Sequence, residues 1–197
     1  MNWIRSSLDK SDGKTNTIVD LCRAKDARAA LSEALALVDR GYGDALFLLG
    51  AIYEVGGEGV IPDPSKAAFY YKRAVCEVGA APAWLGLARL HFLGKGVPQD
   101  YDEAFRCYAV VAEDGDDPMA WLMMGRMYLE GKGVKKNLLR AREYLNKAAS
   151  RDYVFAFTFL GHLEWACGRP WKAIPFFLRA GWLALITNRR DPRSQLG

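Results

Sequence analysis

Four stretches of this chain read alike: ALFLLGAIYEVGGEGV from Ala45, AWLGLARLHFLGKGV from Ala83, AWLMMGRMYLEGKGV from Ala120 and AFTFLGHLEWACG from Ala156. Their starts fall 38, 37 and 36 residues apart. Near-constant spacing of that length marks a repeat architecture, in which each unit buries its apolar face by stacking on the next. The first stretch carries one extra residue in its glycine turn. The last has lost its second glycine and its valine, as suits a terminal unit.

A second helical phrase follows each turn: Lys66–Ala74, Glu103–Ala112, Arg140–Ala149 and Lys172–Ala180. Small and aromatic residues recur there at Ala67, Tyr70, Tyr71 and Ala74, and at Ala141, Tyr144 and Ala148, the spacing of one helical face. Asp63 before Pro64 predicts an N-cap, and Asp100 with Glu103 predicts a capping box. Each unit thus reads as helix, glycine turn, helix. The turn GKGV, at Gly94–Val97 and Gly131–Val134, invites comparison with a phosphate loop. Such a loop needs GxxxxGK[ST] between a strand and a helix. Here the lysines precede glycine, the flanks are helical, and Glu58 takes the equivalent place in the first unit. The glycines are therefore expected to supply positive φ, and the lysines to be incidental.

The pattern A-x4-G-x2-Y-x2-G-x-G-V, then an acidic cap, K-A, an aromatic pair and A-A, resembles the Sel1-like repeat family, relatives of the tetratricopeptide repeats. The unit from Ala120 matches through Gly125, Tyr128, Gly131, Gly133 and Val134. Elsewhere Ala88 replaces the helix glycine, and His91 and Glu164 replace the tyrosine. Gly50, Gly125 and Gly161 are expected where a neighbouring helix comes close, a need that Ala88 nearly meets. The resemblance implies an all-α, right-handed α/α solenoid of about four helix-turn-helix repeats over residues 26–183. Within that span a closing helix at 26–40 comes first, ahead of the repeats. A last helix runs from about Trp171 to Ile186, a partly flexible tail covers 1–25, and a basic tail covers 184–197. It also implies protein–protein interaction, as adaptor, regulator or assembly platform. Many bacterial members of the family act in signalling, envelope maintenance or contact with hosts and competitors.

Composition narrows the alternatives. The net charge of +4 arises entirely from residues 1–25 and 184–197, while residues 26–183 hold 19 basic and 19 acidic side chains. A nucleic-acid reader needs a basic face, so none is expected. Cys22, Cys76, Cys107 and Cys167 form no CxxC pair and are expected as small, buried, reduced thiols. His91 and His162 lack metal-ligand or acid–base spacing, and no nucleophile motif appears, so neither an enzyme, a metal nor a cofactor is expected. The start has no signal-peptide core, which predicts a cytoplasmic protein. The apolar stretch Ala173–Ile186 is too short and too interrupted to span a membrane.

By similarity to tetratricopeptide repeats, the first helix of each unit would line a concave groove. The second, sixth and ninth residues after each starting alanine would then face a partner. The first row is Phe47, Leu85, Leu122 and Thr158; the second Ala51, Arg89, Arg126 and His162; the third Glu54, Phe92, Leu129 and Trp165. This surface would suit a protein or peptide with apolar anchors and a carboxylate, which arginine grips bidentately. The alternative is that the apolar positions belong partly to the core and the arginines are merely solvated. Trp84 and Trp121, with Leu46 and Phe157 at the same place, are expected between helices. Two other uses stay open: a groove-based ligand binder or enzyme, and self-association through the aromatic end at Trp171, Phe176, Phe177 and Trp182.

Overall fold

The computed structural model describes Ile18, Asp20 and residues 26–189. The fold is an all-α solenoid of paired helices, and the chain divides into two compact units, residues 1–107 and 108–197. In the first unit α1 (Ala27–Asp39) packs on α2 (Asp44–Val55), α2 on α3 (Pro64–Val78), and α3 on α4 (Ala81–Leu93). Helix α5 (Tyr101–Asp114) runs through the division. In the second unit α6 (Pro118–Glu130) packs on α7 (Leu138–Ser150), α7 on α8 (Val154–Ala166), and α8 on α9 (Ile174–Arg189). Most of the expected N-terminal tail, Cys22 included, and the chain beyond Arg189 lie outside the described residues. The expected last helix differs at both ends. Pro170–Lys172 forms a separate 3-10 turn, and α9 starts at Ile174 and continues to Arg189.

The first helix of each pair is the inner one. In α2 every residue from Ala45 to Ile52 is buried, and α6 is buried without a break from Ala120 to Gly125. A helix apolar on all sides is enclosed by its neighbours. The second helices bury one stripe only: Ala67, Ala68, Tyr71 and Ala74 in α3, and Ala141, Leu145 and Ala148 in α7. Leu46, Phe157 and Trp121 are buried as expected, and the Trp121 indole donates to Ala112 O at 3.2 Å. Trp84 is half-buried.

The turns explain the recurring glycines. Gly94 and Gly96 have φ of 65° and 70°, and Gly131 and Gly133 have 72° and 66°. At the end of α4 the N–H groups of Gly94 and Lys95 both donate to Leu90 O. At the end of α6 those of Gly131 and Lys132 both donate to Met127 O. This closure satisfies carbonyls that the helix end leaves open. The lysine's part in it is its backbone N–H. We therefore expect Gly94→Ala to cost roughly 1 kcal/mol from the left-handed conformation alone, whereas Lys95→Ala stays within about 0.5 kcal/mol. Paired denaturant melts check both; equal losses would return the lysine to the device.

A second closure sits at the tyrosine position. The carbonyls of Tyr53, His91 and Tyr128 accept the N–H groups of Asp63 (2.7 Å), Asp100 (3.0 Å) and Asn137 (2.9 Å). These three residues cap the next helices. Asp63 Oδ1 accepts from Lys66 N, Asp100 Oδ1 from Glu103 N, and Asn137 Oδ1 from Leu139 N and Arg140 N. The expected capping box is half made, because the Glu103 carboxylate turns to Arg106 at 2.6 Å.

Candidate functional site

The predicted groove residues divide by burial. Phe47, Leu85, Phe92, Leu122 and Leu129 are 5–8% exposed and belong to the core. Ala51 is buried, and Glu54, Arg89, Arg126 and Thr158 are half-buried. His162 and Trp165 are exposed. A first helix enclosed on nearly all sides leaves little apolar surface for a ligand, so polar and aromatic groups dominate what remains.

In the first unit two predicted residues meet each other. Arg89 Nε lies 2.7 Å from Glu54 Oε1 and its Nη2 2.5 Å from Glu54 Oε2, a bidentate pair. The Tyr71 hydroxyl donates to Glu54 Oε2 at 2.8 Å. Its ring fits between two glycines: a Cβ on Gly50 or on Gly86 would stand 2.5 Å from it. Burial, then the Glu54 charge, raises the phenol well above its ordinary range, so Tyr71 remains a donor. The helix glycines of the other pairs serve the same need. A Cβ on Gly125 would stand 2.7 Å from Leu145 Cγ, and one on Gly161 2.6 Å from the Phe177 ring. Gly86, two residues before the register position of Ala88, was not expected.

In the second unit the predicted residues join a run of charge and aromatic rings. Arg126 Nε holds Glu130 Oε1 at 2.7 Å, and Lys132 Nζ holds Glu130 Oε2 at 2.9 Å. Burial pushes the Glu130 carboxyl up, but hydrogen bonds from Arg126 and Lys132 together outweigh it and leave it below the usual range. The Arg126 guanidinium also stands 5.5 Å from the Phe159 ring centroid. Phe159 lies 5.9 Å from His162, and His162 5.7 Å from Phe177, edge to face. The run therefore crosses α6, α8 and α9. Phe159 was missed because it falls outside the three rows counted from each alanine.

Glu164 is a charged side chain only 4% exposed. Arg142 Nη1 reaches its Oε1 at 2.5 Å, and Arg169 Nε stands 3.3 Å from Oε2 without hydrogen-bond alignment. Tyr128 at the same register position stacks on Tyr144 at 5.8 Å, and Tyr53 on Tyr70 at 5.5 Å. The fourth unit thus replaces a ring stack with an ion cluster.

The cysteines divide as well. Cys107 is buried, and burial with the Glu103 carboxylate pushes its thiol up to about 12, so it is no thiolate nucleophile. Cys167 is half-buried. Cys76 is exposed, contrary to the expectation of burial, because it lies outside the packed stripe of α3. Among the described residues no group of three His, Cys, Asp or Glu could hold a metal ion, and no helix is long and apolar enough to cross a membrane.

Inner helices sealed by glycine turns and outer helices packed through one stripe define a helical-repeat protein. The chain belongs to the Sel1 repeat family, whose pattern matches residues 43–77, 82–116 and 118–153, more than half of its length. Among solved structures it is similar to a Sel1 repeat protein from Oxalobacter formigenes. The identity there is 25% and the TM-score 0.73, with 87% of this chain and 68% of that one covered. It is similar in fold to c5321, a protective antigen of uropathogenic Escherichia coli strains, at 23% identity and TM-score 0.67, over 85% of this chain but only 40% of the antigen. MamA shares the fold at 17% identity and TM-score 0.62, over 86% of this chain and 95% of that one. No curated protein matches the chain in sequence.

Proposed function

We propose that the chain is a non-enzymatic interaction platform, an adaptor or regulator, that takes a partner protein or peptide on its first-helix face. The supporting observation is the run Arg126–Phe159–His162–Phe177 in the second unit, which offers cationic and aromatic groups on three helices at once. Apolar anchors of the partner would rest on the rings. A partner carboxylate would compete with Glu130 for Arg126 and bond to His162. In the first unit, taken by itself, Glu54 and Arg89 form a paired polar position on the first helices. The fold is one generally used for protein–protein interaction, and that general use supports this reading.

The choice of variant follows from the pairing. Reversing Arg89 would set an acid against the half-buried Glu54 and confuse binding with folding. Arg126→Ala with His162→Ala leaves the core intact. Peptides selected from a displayed library with free C-terminal carboxylates are expected to bind the double variant at least about tenfold more weakly, with circular dichroism unchanged. Peptides that bind wild type and variant alike, or equally well when amidated, would remove this surface or the carboxylate from the proposal.

A further inference from the structure

Helix α9 is apolar on both of its faces. Ala173 and Ala180 are buried, and Phe177, between them on the same side, lies against the position of Gly161. Of the four aromatics expected at this end, Phe176 is half-buried and Phe177 is turned toward α8; Trp171 and Trp182 remain outside. The opposite face carries Ile174, Leu178, Trp182 and Leu185, spaced 4, 4 and 3, with Trp171 on the turn before. All five are 58–69% exposed. Gly181 lies beside this stripe, and nothing stands within 4 Å of where its Cβ would be.

Side chains of this size leave on the order of 700 Å² of apolar surface. The largest patch on a typical monomer is about 300–600 Å², and a standard interface takes roughly 800 Å² from each partner. A helix apolar all round is a helix with both faces covered. From these observations we infer that the outer face of α9 is covered by α9 of a second copy of this chain, in a two-fold antiparallel pairing centred near Ala180.

Three features select a second copy. The stripe is nearly palindromic: turned end for end about its midpoint, it sets Leu178 against the partner's Trp182 and Ile174 against the partner's Leu185. That is the self-complementarity an isologous interface requires. Gly181, one residue from that midpoint and beside the stripe, has no side chain to hold the two backbones apart there. Charge also fits. Arg179 is the one charged residue between Ala173 and Thr187, and its guanidinium is held 3.4 Å from Asp152 and 4.6 Å from the Phe157 ring centroid. Along the stripe itself a copy can therefore meet its twin without opposing like charges. A helix made for a membrane surface carries instead a polar face rich in lysine and arginine.

Charge-swapped variants of the full chain test this. Light scattering of the wild type is expected to give twice the 21.9 kDa chain mass. Leu178→Glu with Trp182→Glu, and separately Leu178→Lys with Trp182→Lys, should each be monomeric, weakening association by about a hundredfold or more. Their mixture should recover the dimer, because each acid then meets a base. Gly181→Leu, which adds no charge and favours the helix, should also dissociate it and stands in if a charged variant fails to fold. A monomeric wild type, a dimer indifferent to all three changes, or a mixture that stays monomeric overturns the inference. So does a monomer that sediments with phosphatidylserine vesicles through this stripe.

Discussion

Tyr71→Ala is expected to destabilise the first unit by roughly 3–5 kcal/mol, the usual range for deleting a buried aromatic ring. The site cannot collapse easily, since two walls of the cavity are Gly50 and Gly86, which have no side chains to lean in. Phe47, stacked 6.2 Å from the ring, loses its neighbour, and Glu54 loses its hydroxyl donor. Tyr71→Phe isolates the last contribution and should cost about 1.5–3 kcal/mol, as for a hydrogen bond to a charged acceptor. Denaturant melts with unchanged slope would measure both. A Tyr71→Ala loss below about 1 kcal/mol would show that the ring is not the wedge described here.

Arg142→Ala should cost the second unit about 3 kcal/mol, because it strands the Glu164 carboxylate in a site where it is 4% exposed. The lower end of the usual range for such a loss applies, since Arg169 Nε remains 3.3 Å away. A control distinguishes the pair's own worth from the cost of breaking it. Glu164→Leu combined with Arg142→Leu removes both charges, and hydrophobic replacements of this kind are commonly neutral or better. The double variant is therefore expected within about 1 kcal/mol of wild type. If it falls as far as Arg142→Ala alone, the ion cluster is itself a net source of stability.

The repeat register made most of this fold legible. Helix pairs, glycine turns and the caps at Asp63 and Asp100 all follow from local chemistry repeated at fixed spacing. What the register could not supply was direction across the helix. Phe47, Leu85 and Leu122 occupy one repeated place, Phe92 and Leu129 another, and all were expected in the groove. Their burial depends on neighbours on every side of the first helix, which a single amphipathic count does not represent. Pairing was hidden for a related reason. Glu54 and Arg89 are 35 residues apart, and Glu164 is 22 from Arg142, so only packing decides which acid meets which base. Gly86 escaped notice because the comparison of like positions pointed to Ala88.

The cage around Tyr71 has a bearing on how such a chain can be divided. The sequence repeats from Ala45 to Ala83, yet the ring's two glycine walls stand on α2 and α4, on either side of that boundary. The packing block around this ring thus extends half a unit past the repeat boundary. A fragment cut at Gly79–Ala80 would keep the tyrosine and discard one of its walls. Crossover points for shuffling or shortening these units belong instead in the glycine turn after Leu93, where the block that holds the ring is complete.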